Sequence, residues 1–271
     1  MSRMPILAAT VLALAALPVA AAEPKPDKAA PAPAVQPAQG PAKATAQQRL
    51  EARRLDPLGR AAFWAREAEV DPRDLEAGVA LAQALRIMRR YDDAAEAAQR
   101  MLIIDPNNFE GLLELGRAHL GRGKGFYAIE PGRRAQALAP RDWRPVSLLA
   151  VAYEQAGREE EALAAHRQAL ALAPSDPGVL SNMAMYYATH GDLPQAETLL
   201  RKASGQPGAS VRIRQNLALV IGLQGRLAEA EKLARADLPP EVVANNLAYL
   251  KAATSGAGGG DRSWDVMRGA Q

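Results

Sequence analysis

The residues able to do chemistry are few. His119, His166 and His190 are the only imidazoles in 271 residues, and there is no cysteine. Without cysteine there is no disulfide, thiolate nucleophile, Cys-ligated zinc or iron–sulfur cluster. No HExxH occurs, and no His or carboxylate pair has metal-ligand spacing. "LGRGKGF" (Leu120 to Phe126) imitates a phosphate loop, because Gly116 and Gly121 are correctly separated. Arg122 nevertheless stands where a lysine is needed and no strand pattern precedes it, so the stretch reads as a turn between helices. Ser147 and Ser181 have no histidine at a matching position to activate them. No catalytic residue, cofactor site or metal site is therefore expected, and the chain does not read as an enzyme.

What remains is recognition chemistry. Asn182 and Asn216 lie 34 residues apart, and a side-chain amide both donates to and accepts from a peptide unit. Arg144 and Arg212 flank them, and guanidinium groups pair well with carboxylates. With Arg117, Ser147 and Gln215 they form a seven-residue candidate groove for an extended peptide carrying an acidic group.

The spacing that relates the asparagines runs through the whole body. Ala94, Ala128, Ala162, Ala196 and Ala230 follow at intervals of 34, in the frames "YDDAAEA", "GFYAIEP", "EEEALAA", "LPQAETL" and "LAEAEKL". Gly123, Gly157, Gly191 and Gly225 keep the same beat, as do Pro72, Pro106, Pro140 and Pro174, with Pro207 one residue early. Two antiparallel helices per 34 residues account for all three series. Glycine ends the first helix where the turn needs positive φ. Alanine lies early in the second helix, where only a small side chain fits the crossing, and proline stops that helix. Apolar residues recur at helical spacing in the first helices, such as Leu81 and Leu85, or Leu217 and Ile221. In such stacks the first helices line the concave side, and their second, fifth, sixth and ninth positions supply the seven groove residues. Pro131 falls inside a second helix and is expected to kink it or delay its start.

The flanks differ in kind. Arg3, an apolar run from Ile6 to about Ala20 and Ala20-Ala21-Ala22 form a secretory signal over residues 1–22, too short to span a bilayer. Residues 23–44 are a Pro/Ala-rich linker expected to be disordered. Residues 45–74 read as N-terminal capping helices, 75–240 as five repeats and 241–253 as a C-terminal capping helix. Residues 254–271 read as a flexible tail that carries Trp264, Val266 and Met267. Net charge is only +3, aromatics are 4%, and no other apolar stretch is long enough for a membrane span. Nucleic acid and stable membrane insertion after signal cleavage are not expected. Nor is a lipid anchor, for want of cysteine.

With Leu75, Phe109, Trp143, Pro177 and Val211 as first residues, position eight is Ala82, Gly116, Ala150, Ala184 and Ala218. Position eleven holds Tyr153 and Tyr187, replaced elsewhere by Leu85, His119 and Ile221. This pattern resembles the tetratricopeptide repeat (TPR) family, which implies an all-α, right-handed superhelical solenoid of about five helix-turn-helix repeats. The strings "ALAPRDWRPVSLLAVAYEQAGR" and "VRIRQNLALVIGLQGRLAEAEKLARADLPPEVVANNLAYL" further resemble TadD, the TPR family of tight-adherence (Flp) pilus systems. That resemblance implies a periplasmic interaction module assisting pilus assembly, with protein partners such as an outer-membrane secretin. Members are often lipoproteins, from which this chain departs, and only the asparagines match the Lys/Asn set of carboxylate-clamping TPR domains. A general periplasmic scaffold for cell-envelope or polysaccharide export machinery is the alternative.

Overall fold

The computed structural model describes residues 42–255. The signal over residues 1–22, nearly all of the linker and the tail with Trp264 lie outside the described residues. Thirteen helices and no strand make up what is described. Helices α1 (Ala46–Ala52) and α2 (Pro57–Val70) precede five pairs. These are α3 (Leu75–Ile87) with α4 (Tyr91–Ile104), α5 (Phe109–Gly121) with α6 (Gly125–Leu138), and α7 (Trp143–Gln155) with α8 (Glu159–Leu172). Then come α9 (Pro177–Thr189) with α10 (Leu193–Ser204), α11 (Val211–Leu223) with α12 (Leu227–Ala234), and finally α13 (Pro240–Thr254). Each first helix has 13 residues, and both series of starts advance by 34. The architecture is an all-α solenoid.

Backbone chemistry at the helix ends enforces the period. Asp74, Asn108, Asp142 and Asp176 stand one residue before the first helices, and each side chain accepts from a free N–H of the first turn. At the other end Gly123, Gly157, Gly191 and Gly225 take φ of +67° to +83°. The following N–H then folds back onto the carbonyl at position eleven: Lys124 to His119, Arg158 to Tyr153, Asp192 to Tyr187 and Arg226 to Ile221. The first pair makes the same bond, Arg90 to Leu85, but Arg89 occupies the left-handed position at φ +61°. It is the only non-glycine residue with positive φ among those described.

The alanine series lies where expected: Ala94, Ala128, Ala162, Ala196 and Ala230 are at most 1% exposed. Helix α6 starts at Gly125, on the beat, and continues through a buried Pro131 to Leu138. The expected delay does not occur, because proline's ring closes off an N–H only after the first turn has formed.

Curvature follows from which helices meet. Neighbouring first helices touch one another (α3 with α5, α5 with α7, α7 with α9, α9 with α11), whereas neighbouring second helices make no comparable contact. The first helices therefore line the tighter, inner side. The ends are less regular. Helix α2 begins 34 residues before α4, so it acts as the second helix of a shortened unit whose first helix is α1. The linker expected over 23–44 is tied down at its end, where Ala44 N–H donates to the Glu67 carboxylate at 3.0 Å. Helix α13 is one residue longer at each end than expected, and Thr254 belongs to it.

Candidate functional site

The inner face is built from positions two, five, six and nine of the first helices. Five of the seven predicted residues, Arg117, Arg144, Ser147, Asn182 and Arg212, line one cavity of about 350 Å³ across α5, α7, α9 and α11. Arg86 at the end of α3 joins them, so four guanidinium groups surround a space that no carboxylate lines. Gln215 and Asn216 instead line a second cavity between α11, α12 and α13. The seven thus fall into two places.

The four arginines are held differently. Glu114, 1% exposed, accepts from Arg86 Nε at 2.7 Å and from Arg117 Nη1 at 2.6 Å. Two cations sharing one carboxylate leave a net positive charge at the wall. Arg144 donates to Glu110 at 2.7 Å and to Asp142, the residue that caps its own helix, and lies 4.9 Å from the Phe109 ring centre. The Arg144 guanidinium holds the Asp142 carboxyl below the usual carboxylate range, and its own pKa is raised in return. Arg144 therefore fastens one repeat to the next, and reversing its charge would loosen the array. Arg212 is exposed and makes no hydrogen bond or ion pair among the described residues, so its charge is free for a ligand.

The asparagines form a ladder. Asn182 Nδ2 donates to Ser147 Oγ at 3.1 Å, and one repeat later Asn216 Nδ2 donates to Ser181 Oγ at 3.3 Å. Each bond uses one amide hydrogen and leaves the amide oxygen and the second hydrogen to offer. The serines that have no histidine partner thus hold the asparagines in place.

The remaining sequence candidates settle into structural roles. In "LGRGKGF", the Tyr91 ring lies against Gly121, Gly123 supplies positive φ, and a Cβ on Gly125 would meet the Ala152 carbonyl oxygen at 2.5 Å. Each glycine is needed for the turn or for helix contact. His166 is 1% exposed and pairs with Glu154, while His190 bridges Glu159 at 2.9 Å and the Tyr186 carbonyl at 2.7 Å. His119 is half-buried, with its ring 5.8 Å from that of Tyr127 and Nδ1 without a partner. Burial, aided by Arg122 and Lys124, pushes its pKa down. Among the described residues no group of three His, Asp or Glu is arranged to hold a metal ion. Nor is any helix among them long and apolar enough to cross a membrane.

No protein-family model matches the chain, and none of the curated proteins does. Solved structures do. A tetratricopeptide repeat protein from Parabacteroides merdae aligns over 76% of this chain and 80% of its own, at TM-score 0.62 and 12% identity. A thermophilic TPR protein of Thermus thermophilus aligns over 72% and 97%, at TM-score 0.55 and 25% identity. The Cut9-Hcn1 hetero-tetramer of the APC/C aligns over 73% of this chain but 39% of that one, at TM-score 0.61 and 14% identity. The fold is that of a TPR protein.

Sequence reasoning missed Arg86 and Glu114. Glu114 occupies position six, where Asn182 and Asn216 stand in later repeats, and so lies on the same stripe. Arg86 lies at position twelve, outside that stripe, and reaches the cavity only because its partner Glu114 is 28 residues away on the next first helix.

Proposed function

We propose that the chain is a protein-interaction module whose inner face takes an extended, acidic segment of a partner protein. One observation carries this reading: four arginines converge on a cavity that, among the described residues, no carboxylate lines and in which Arg212 has no partner. An acidic side chain or terminal carboxylate entering there would gain charge-assisted hydrogen bonds. The Asn182 amide would take a peptide group alongside it. The solved TPR structures support an interaction role through fold alone.

The setting follows from the sequence. The apolar N-terminal run with its small-residue cleavage pattern supports export, and the resemblance to the TadD family supports assistance to tight-adherence pilus assembly in the periplasm. A secretin or another pilus component is the partner this reading names. Pull-down from periplasmic extract with the chain, beside its Arg212→Glu variant, tests both parts. Recovery of a pilus component by the parent and its loss with the variant is the expected result. Equal recovery by both would remove the cavity from the binding site. Recovery of other envelope proteins alone would replace the pilus role with that of a general envelope scaffold.

A further inference from the structure

The C-terminal end of the array contains an apolar cavity that the arginine-lined face does not use. Helix α12 stops after 8 residues, where α4, α6 and α8 each run for 14. Pro239 and Pro240 follow, and neither has an N–H to extend a helix. Helix α13 consequently begins at Pro240, five residues ahead of the beat that would place a sixth first helix at residue 245. Out of register, α13 grips the array at two points. Val243 packs with Ala218 and Ala234, and Leu250 packs onto Gly222. A cavity of about 440 Å³ remains, walled by Leu219, Leu238 and Leu247, with Gln215, Asn216 and Asn246 also lining it. This combination of size, apolar walls and a few polar groups is that of a ligand pocket.

The sequence supplies an occupant within reach. The described chain ends at Ser255, five residues past Leu250, or about 8 Å along the helix. Next come Gly256 and Gly258-Gly259-Gly260, which can reverse the chain direction without steric cost. The large apolar side chains of residues 256–271 then arrive together, as Trp264, Val266 and Met267. Eight residues lie between Ser255 and Trp264, a span of up to about 30 Å when extended, several times what is needed. In an extended segment Trp264 and Val266 share a side while Asp265 faces away. The three amides are suited to the backbone polar groups of such a segment.

We infer that the chain's own C-terminal segment seats in the cavity between α11, α12 and α13, with Trp264 and Val266 as its anchors. Tethering through a short glycine-rich connection gives an effective concentration in the millimolar range, so even a weak seat is filled.

Hydrogen exchange of the full chain and of its Trp264→Ala variant tests this. A seat of ~100 µM affinity at millimolar effective concentration slows local opening about tenfold. The expected result is that Trp264→Ala speeds exchange in α13 by about that factor and leaves α3 to α10 unchanged. Acrylamide quenching supplies a readout independent of α13 stability. The Trp264 emission, isolated by difference from Trp264→Phe, should be shielded relative to a synthetic peptide of residues 256–271. Equal quenching in chain and peptide would overturn the inference. So would protection that rises with protein concentration, which would give the cavity to the tail of a second copy.

Discussion

Helix α1 and helix α13 each cover an end of the array, and the contacts that hold them have little in common. Helix α1 has 7 residues and one buried side chain, Ala52. Charge fixes it: Arg49 donates to Glu67 at 2.8 Å, Asp74 at 2.5 Å and Glu76 at 3.0 Å, and lies 5.7 Å from the Trp64 ring centre. Glu67 is 1% exposed and also takes the Ala44 N–H. Helix α13 has 15 residues and is fixed by Val243 and Leu250 seating on small residues. A short helix cannot bury enough apolar area to stay docked, so directional charge replaces it. A long helix can, but off-register packing leaves space beneath it.

This contrast can be broken at either end. Arg49→Ala should have the largest effect, because it strands the buried Glu67 with a single N–H partner. Removing one member of a buried pair costs about 3 kcal/mol. Exchange should accelerate in α1 and α2 while α7 to α12 stay protected, since repeats in a stack depend chiefly on their neighbours. Uniform loss across the chain would show that the ends are coupled. Gly222→Ala should follow, at about 2 kcal/mol, since the new methyl overlaps Leu250. Its effect belongs in α13, and unchanged α13 exchange would mean that Leu250 is not the point of attachment.

Two smaller effects sharpen the comparison. Arg89→Gly should stabilise the chain by about 1 kcal/mol by relieving a left-handed side-chain conformation, read as a higher denaturation midpoint. No gain would mean that the Arg89 side chain contributes as much as its backbone costs. Acid should loosen the N-terminal end first. Lys43 and a backbone N–H hold Asp71 low, and Arg53 and Arg49 hold Glu76 low. Burial opposes ionisation of Asp74, but Arg49 and the Ala77 N–H outweigh it. Their stabilisation is complete above the unfolded carboxylate pKa of about 4 and is lost as pH falls through the lower folded values. At the other end Asp237, paired with Arg214, is the group lowered in this way. Acidification should therefore raise exchange in α1 by more than exchange in α13.

Much of the molecule was legible in one dimension because its main constraints act within a helix or a turn. A turn that needs positive φ selects glycine, and a close crossing selects alanine. Each repeats every 34 residues because each is met once per pair. The capping series Asp74, Asn108, Asp142 and Asp176 keeps the same beat and could have been read from spacing too. Arg89 breaks the glycine series, yet its backbone keeps the conformation and the Arg90 N–H still reaches the Leu85 carbonyl.

The sequence by itself determined the repeat, its phase, the helix ends and the stripe of residues presented on the inner face. Those properties depend on backbone dihedrals and side-chain volume over a few residues. Only the tertiary structure decided which charges remain available on that stripe. Arg144, Arg117 and Arg212 look alike in sequence, but Glu110 and Asp142 engage the first, a buried Glu114 the second, and none of the described residues the third. It alone decided, too, that Gln215 and Asn216 face a separate cavity. Arg144 reaches Glu110 across 34 residues, Glu114 is shared with Arg86 across 28, and the second cavity follows from a five-residue offset of α13, all set by how whole helices stack.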